Sequence, residues 1–211
     1  MRLRMQTLPA GILRAAALAA LLCCAAAACT RPADLAYSPP PDAAAGVATP
    51  LIAEVTVTDQ RDVPADYAGA VMGLNGKPLK RLQSAPPVAD AVRSAFRDAL
   101  AARGELAPPD ASLRSAPYAL DVRLLQLNAE QNADRQASAD LVVRVVDRAT
   151  GRIVYAARTY AEHRGDNFLA YDNGLFGSPA ALASVARAVL GEAVNETVDR
   201  KGFRRALRDT G

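Results

Sequence analysis

Histidine and cysteine are scarce in this chain, and their scarcity excludes several kinds of site. The 211 residues include one histidine, His163, no tryptophan and three cysteines, all of which lie within the first 29 positions. A zinc site needs several His or Cys ligands, and no D-x-D-x-D-G calcium loop is present. We therefore predict neither a metal site nor any other cofactor.

Sequence motifs of catalysis are missing as well. His163 lies in Glu162-His163-Arg164 at the end of a predicted strand, and no G-x-S-x-G motif accompanies it. The segment Gly73-Leu74-Asn75-Gly76-Lys77 lacks the spacing and the following Ser or Thr of a phosphate-binding loop, so its glycines indicate turns. We expect His163 to be an exposed polar residue, and we predict that the protein is not an enzyme.

The start of the chain determines the compartment. Arg2, Arg4 and Arg14 precede an uncharged run from Ala15 to Ala28, which is shorter than the roughly 20 apolar residues of a spanning helix. A basic start, a short apolar run and small residues at its end are typical of a secretory signal peptide, predicted here as residues 1–28. The three arginines account for the whole formal excess of +3, so the basic balance does not indicate nucleic-acid binding.

A candidate lipidation site follows the apolar run. Ala26-Ala27-Ala28-Cys29 resembles the bacterial lipobox, in which the cysteine receives a diacylglycerol and becomes the new N-terminus. We therefore predict a membrane anchor on Cys29, since two or three acyl chains hold a protein firmly on a membrane. Thr30 stands where inner-membrane lipoproteins typically have Asp, so we expect the periplasmic face of the outer membrane. Two alternatives are open, lipidation in Leu21-Leu22-Cys23-Cys24 or ordinary cleavage after Ala27 that leaves a soluble protein.

The composition divides the mature chain into a tether and one domain. We predict residues 29–50, rich in Ala and Pro, to be a lipidated N-terminus and tether with a short edge strand at Leu35-Ala36-Tyr37. Residues 51–211 are then a single α/β periplasmic domain. Apolar alternation predicts a strand from Leu51, a hairpin at Asn75-Gly76 and three later strands, the first with a bulge between Leu124 and Leu125.

Two segments have the apolar spacing of helices. The first has Pro86 and Pro87 in its first turn, preceded by Ser84 or Ala85, and ends at Gly104. In the second, Ser178 is the predicted cap, Pro179 the first residue, and one apolar face continues to Val198. The order of elements predicts an α+β fold with two layers, a mainly antiparallel sheet with both helices packed on one face.

Several short motifs occur along the chain in a recognisable order. They are the lipobox at Cys29, Leu35-x-Tyr37-x-Pro39, Val55-x-Val57-x-Asp59-x-Arg61, a helix ending at Arg103-Gly104, and a late hairpin followed by a long final helix. Together they resemble the YajG-type family of bacterial lipoproteins over nearly the whole mature chain. This resemblance implies an envelope lipoprotein with no established enzymatic activity, acting as a periplasmic adaptor or binding module. Similar layouts in auxiliary lipoproteins of lipid-moving transporters leave open a role in lipid or lipopolysaccharide transport.

A long predicted loop is a candidate site for an envelope protein partner. It runs from Gly165 to Gly177, longer than most connections within a domain. The loop carries Phe168, Tyr171 and Phe176. These rings are expected either to fold over the open sheet face as a lid or to serve as exposed anchors for a partner.

Two charged groups are further candidates. Asp59 and Arg61 lie at a predicted strand end, either as a pair that caps the following turn or as an exposed polar site. Near the C-terminus, Arg204, Arg205 and Arg208 either complement the negative end of a helix dipole or contact anionic lipid headgroups.

Overall fold

Strands and helices fill most of the part of the chain that the computed structural model describes, which is residues 32–43, 51–73, 75–132, 134–164 and 178–208. The strands are β1 Ile52–Asp59, β2 Tyr67–Met72, β3 Pro78–Gln83, β4 Tyr118–Gln131, β5 Arg135–Asp147 and β6 Ile153–Arg164. The helices are α1 Val88–Ala102, α2 Pro179–Asp199 and α3 Lys201–Arg208.

A six-stranded sheet is the centre of the fold. Its order is β3-β2-β4-β5-β6, and β1 pairs with β4 on the same side as β2. The pairs β2–β3, β4–β5 and β5–β6 are antiparallel, whereas β1 and β2 run parallel to β4. Parallel neighbours need a crossover connection, which α1 provides before the chain returns as β4. The sheet is thus mixed and mostly antiparallel, and the predicted α+β class is confirmed.

Strand β4 is shared by two neighbours along one side. Strand β1 pairs with its first half as far as Leu124, and β2 pairs with its last residues, Ala129 to Gln131. On the other side, the register with β5 shifts between Leu124 and Gln126, which confirms the predicted bulge. The change of partner on one side therefore coincides with the irregularity on the other.

Strand β2 approaches β4 so closely that only glycine fits at the crossing point. Gly69 has a φ of 150°, and a Cβ atom there would lie 1.9 Å from the carbonyl oxygen of Ala129. No flexible side chain could move aside, because the obstacle is the backbone of β4. The absence of a side chain at Gly69 thus permits the parallel pairing of these two strands.

Of the two predicted helices, the second begins at the predicted residue, whereas the first begins after the two prolines expected in its first turn. Helix α1 starts at Val88 directly after the second proline, and Gly104 with a φ of 70° follows its end. Helix α2 starts at Pro179, and the Ser178 hydroxyl oxygen accepts a hydrogen bond from the Ala180 amide at 3.2 Å. Apolar residues of both helices are buried against one face of the sheet. None of the described helices is long and apolar enough to span a membrane.

The C-terminal residues form a third helix, α3, and are not the solvated end of α2, which is one of the two expectations from the sequence. The backbone at Arg200 takes a ψ of 128°, which ends α2, and α3 begins at the next residue. Phe203 is fully buried and contacts Tyr155 of β6 edge to face, with ring centroids 5.7 Å apart. The end of the chain is therefore packed on the sheet through one side of α3.

The segment 32–43 extends the core beyond the predicted domain boundary at Leu51. Leu35 and Tyr37 are buried while Ala36 between them is exposed, as expected for an extended chain with one face inward. The predicted edge strand is nevertheless wrong. The contact with the sheet in this segment is one bridge between Ala33 and Ser84, because the chain then turns its buried residues toward α2.

Candidate functional site

One face of the sheet carries the helices, and the opposite face presents polar side chains on β4, β5 and β6. Asp140, Ser138 and Gln136 of β5 pair in register with Tyr160, Glu162 and Arg164 of β6. Together with the adjacent part of β4 they form a shallow groove of about 250 Å³, and we call it the sheet groove. Its lining residues are Gln126, Asn128, Glu130, Gln136, Ala137, Ser138, Tyr160 and Glu162.

Hydrogen bonds between β4 and β5 and within β6 hold the side chains that line the sheet groove. Gln126 Nε2 donates to Ser138 Oγ at 2.7 Å, and the Tyr160 hydroxyl donates to Glu162 Oε2 at 3.2 Å. The hydrogen bond from Arg164 to Glu162 lowers the pKa of that carboxyl, so Glu162 is ionised at neutral pH. The ring of Tyr160 nevertheless stays 54% exposed.

The chemistry of the sheet groove suits binding rather than reaction. Its amides, hydroxyls and carboxylates can donate and accept hydrogen bonds, and the exposed ring of Tyr160 offers an apolar surface for stacking. Asn128 Oδ1 is buried and has no hydrogen-bond partner within the described residues. Small-molecule pockets usually measure about 300–1,000 Å³ and are mainly apolar. A shallow polar groove of about 250 Å³, below that range, fits a polar segment of a larger partner better than a small molecule.

Asp59 and Arg61 come together, but mainly inside the fold. Arg61 Nε and Nη2 donate to the two carboxylate oxygens of Asp59 at 2.8 and 2.7 Å, and only 3% of the Arg61 side chain is exposed. Its Nη1 also donates to the carbonyl oxygens of Tyr67 at 2.6 Å and Leu127 at 3.4 Å. Burial alone would raise the pKa of Asp59, but the hydrogen bonds and charge of Arg61 outweigh it and lower the pKa. The contacts join the end of β1 to β2 and β4.

A second buried charged residue, Arg103, is absent from the predicted sites. Its side chain is fully buried after the end of α1, where Nη1 donates to Ala99 O at 3.0 Å. Nε and Nη2 donate to the carboxylate of Asp199 on α2 at 3.0 and 2.8 Å. Nη2 also reaches Asn195 Oδ1, which accepts a hydrogen bond from the Tyr37 hydroxyl at 2.6 Å. Tyr37 and Arg103 belong to two of the short motifs in the sequence, and their joint contact with Asn195 brings those motifs together.

Glu105 lies beside this network, and its carboxyl group is buried with one oxygen that accepts no hydrogen bond from the described part of the chain. Only 1% of the residue is exposed, and its Oε2 has no hydrogen-bond partner among the described residues. Burial raises the pKa of Glu105 to about 7, although the charges of Arg204 and Arg103 act in the opposite direction. Its backbone oxygen accepts the amides of Leu51 and Ile52, which holds the start of β1. We interpret Glu105 as part of the packing that joins β1 to α1.

The C-terminal arginines differ in whether their side chains are free to contact a ligand. Arg204 forms an ion pair with Asp199, and its Nε donates to Val198 O at 3.3 Å. Arg205 and Arg208 are exposed on α3. A contact with anionic lipid at this helix would therefore depend on Arg205 and Arg208, while Arg204 holds α3 against α2.

The remaining predicted sites are placed as follows. His163 is exposed near the end of β6. Within the described ranges, no group of three or more His, Cys, Asp or Glu side chains could hold a metal ion. Cys29 and the aromatic loop residues Phe168, Tyr171 and Phe176 lie outside the described residues.

Comparisons with known proteins identify the fold. No protein-family model matches the sequence, and no match was found among curated proteins. A crystal structure of a Xanthomonas campestris protein of the DUF330 family superposes with a TM-score of 0.58 at 12% identity, over 86% of this chain and 99% of that one.

Other similar structures superpose less well. A minor lipoprotein from Acinetobacter baumannii has a TM-score of 0.37 at 14% identity, over 66% of this chain and 95% of its own. A lipoprotein from Neisseria meningitidis has a TM-score of 0.31 at 12% identity, over 68% and 99%. The chain thus shares its fold with a protein of the DUF330 family, and several of the other similar structures are bacterial lipoproteins.

Proposed function

We propose that the protein is anchored by lipid on Cys29 at the periplasmic face of the outer membrane and binds an envelope protein without catalysis. The observation that carries the binding role is the sheet groove, a face with no described helix packed on it that offers hydrogen-bonding groups and an exposed Tyr160 ring. Its side chains include amides, hydroxyls and carboxylates, and Glu162 is already paired with Arg164. The signal peptide and the lipobox support the location.

The anchor can be tested in cells by changing one residue. Wild-type protein should fractionate with the outer membrane, and its N-terminal peptide should carry the mass of a diacylated or triacylated cysteine. The Cys29→Ala variant should move to the periplasmic soluble fraction, because one attachment point is lost. Cys24→Ala is the matched control and should fractionate like wild type. Soluble wild-type protein with a free thiol at Cys29 contradicts the anchor.

Partner binding can be tested by photo-crosslinking. A photoreactive residue in place of Tyr160 should give a defined crosslinked species from intact cells, whereas one in place of Arg97, exposed on α1, should not. Ser138→Arg fills the groove and should abolish the Tyr160 product, with only a small change in melting temperature because the hydrogen bond that it removes, from Gln126, is exposed. Equal crosslinking from both positions, or a Tyr160 product that survives Ser138→Arg, contradicts binding through this face.

The identity of the crosslinked species separates the two functional hypotheses. A transporter component or an acyl-chain ligand would favour an auxiliary role in lipid or lipopolysaccharide transport, and any other envelope protein would favour an adaptor. The aromatic loop is proposed as part of the same contact. Phe168→Ala together with Phe176→Ala should then abolish the Tyr160 product and leave thermal stability almost unchanged. A large fall in melting temperature would instead make the rings a structural lid.

A further inference from the structure

The outer edge of the sheet at β3 has a charge pattern unlike the rest of the domain. From Tyr67 to Ala89 the sequence contains Lys77, Lys80 and Arg81 but no Asp or Glu, although the whole chain has 22 acidic residues. All three cations are exposed, and none belongs to an ion pair within the described residues. Leu79 between them is 56% exposed. We call Lys77, Leu79, Lys80 and Arg81 the β3 edge.

The β3 edge combines the features of a membrane-contacting surface. Strand β3 is the last strand on its side of the sheet, and five of its six side chains are exposed. Basic residues attract anionic headgroups over distances of about 8 Å at physiological ionic strength. An exposed leucine among them can enter the boundary between headgroups and acyl chains. Cationic and apolar groups therefore lie on one strand.

The covalent chain brings this strand close to the proposed anchor. The Ala33 amide donates to the carbonyl oxygen of Gln83, the last residue of β3, at 2.6 Å. Cys29 lies four positions before Ala33, and an extended chain spans at most about 14 Å over that length. A lipid on Cys29 therefore keeps the Gln83 end of β3 within roughly that distance of the membrane surface.

The rest of β3 extends from this tethered end. Lys77 precedes Gln83 by six residues, which corresponds to about 20 Å of strand. Arg187 of α2 adds positive charge near the tethered end, where its guanidinium donates to Asp34 O at 2.9 Å. Two carboxylates, Asp34 and Asp66, also lie at that end, since Asp66 accepts a hydrogen bond from Gln83. Glu130 of β4 also lies in register with Arg81, on the other side of Ala70. None of these three carboxylates forms an ion pair with the cations of the β3 edge within the described residues.

We infer that the β3 edge lies against the bilayer and binds the phosphate groups of anionic phospholipids. This inference rests on the proposed lipid anchor at Cys29, which supplies the tether. The anchor holds the domain at the membrane, and the β3 edge determines which side of it faces the lipid. The sheet groove, on β4, β5 and β6, is left to the periplasmic partner. Arg205 and Arg208 on α3 are the competing basic surface.

Vesicle co-sedimentation of the mature chain carrying Cys29→Ser, which cannot be lipidated, tests whether the β3 edge itself binds anionic lipid. The vesicles contain equimolar phosphatidylcholine and phosphatidylglycerol, and phosphatidylcholine alone is the neutral control. Each basic residue strengthens binding to an anionic surface about fivefold. Lys80→Gln with Arg81→Gln should therefore weaken binding about 25-fold. The matched pair Arg205→Gln with Arg208→Gln makes the same change in charge and should weaken it less than about twofold.

The outcomes of co-sedimentation decide between the two surfaces. An equal loss for both pairs, or a loss confined to the α3 pair, overturns the inference. Unchanged binding of the Lys80 and Arg81 variant also overturns it. Melting temperatures equal to that of the Cys29→Ser parent exclude unfolding as the cause, since all four side chains lie on the surface.

The full-length lipoprotein provides a second readout. An environment-sensitive fluorophore on Leu79→Cys, in protein reconstituted into the phosphatidylglycerol vesicles, should shift to shorter wavelength and resist a water-soluble quencher. The control is Ile153→Cys, at a side chain 52% exposed against 56% for Leu79. Equal quenching at both positions overturns the inference. The mass of the N-terminal peptide reports lipidation separately, so failure of the anchor and failure of the β3 edge are distinguishable.

Discussion

Arg103 and Asp199 form a two-point ion pair between the end of α1 and the end of α2, although 96 positions separate them in the chain. The Arg103 side chain is fully buried, whereas 44% of the Asp199 side chain is exposed. Removing a partner from a buried charge costs far more than removing one from an exposed charge. The two halves of this pair are therefore unequal in their contribution to stability.

We expect Asp199→Ala to lower the free energy of unfolding by about 3 kcal/mol, because it leaves the buried Arg103 guanidinium without its carboxylate. Arg103→Met should cost only about 1–2 kcal/mol, since Asp199 keeps its contact with Arg204 and with water. Urea denaturation measures both values. Asp90→Ala breaks the exposed pair with Arg93 and should change stability by less than about 0.5 kcal/mol. A greater loss from Arg103→Met than from Asp199→Ala would contradict this account.

Glu105 predicts a dependence of stability on pH near neutrality. Burial raises its pKa from 4.5 to about 7 in the folded state, so the folded protein binds a proton that the unfolded chain has released. The stabilising effect of this proton is complete below about pH 4.5 and is lost as the pH rises through about 7. A shift of this size corresponds to at most about 3 kcal/mol.

The Glu105→Gln variant should remove this dependence. Its free energy of unfolding should stay nearly constant between pH 5 and 8, while that of the wild type falls. Urea denaturation across this range measures the difference. The lowered pKa values of Asp59 and Asp199 act in the opposite sense, since their contribution is present above their ordinary value of 3.8 and is lost in acid. If the free energy of unfolding of the wild type changes as little with pH as that of the variant, the buried Glu105 does not titrate as described.

Asp59→Ala tests whether the Asp59–Arg61 pair is structural. The substitution leaves Arg61, 3% exposed, with backbone carbonyl oxygens as its remaining partners. We expect a loss of about 2 kcal/mol and a fall in melting temperature of about 4–8 °C. The exposed Asp62→Ala is the control for removing one negative charge from the same turn. An unchanged melting temperature with a lost envelope phenotype would favour a charged functional site instead.

Gly69→Ala should be among the most damaging single substitutions in the domain. Its Cβ would overlap the carbonyl oxygen of Ala129 at 1.9 Å, so β2 and β4 must separate. We expect a loss above about 3 kcal/mol or failure to fold. Gly151→Ala also has a positive φ, of 71°, but its Cβ would meet no atom within 4 Å. It should cost only about 1–2 kcal/mol. Denaturant titrations measure both losses of unfolding free energy. If the two variants lose similar amounts, the positive φ is the cause and not the close contact with Ala129.

Local sequence predicted the features that depend on local chemistry. The serine cap of α2 and the change of phase after Leu124 each act within a few residues, and both are observed as predicted. The two prolines mark the start of α1 only approximately, since the helix begins at Val88, after them. Pro78 has no amide hydrogen to donate, which suits the position of β3 at the edge of the sheet.

Features that depend on distant parts of the chain were not predictable in the same way. Arg103 follows an amphipathic helix where a solvated cation is the usual expectation, and its burial follows from Asp199, at the far end of α2. The separation of α3 from α2 depends on Phe203 packing against β6. Of the candidate sites, only the contact between Asp59 and Arg61 could be foreseen, because the partners are only two positions apart in the chain.

The two partners of β4 have a consequence for the order in which the molecule folds. Strands β4, β5 and β6 are joined by short turns, so their pairing closes small loops, whereas β1 meets β4 across 64 positions, from Thr56 to Leu120. Loop-closure entropy favours the meander as the early nucleus, with β1 and β2 docking afterwards on its exposed edge. Amide protons of β5, in the middle of the meander, should then exchange only by global unfolding, while those of β2 and β3 exchange through a partial opening of lower free energy that releases this side of the sheet.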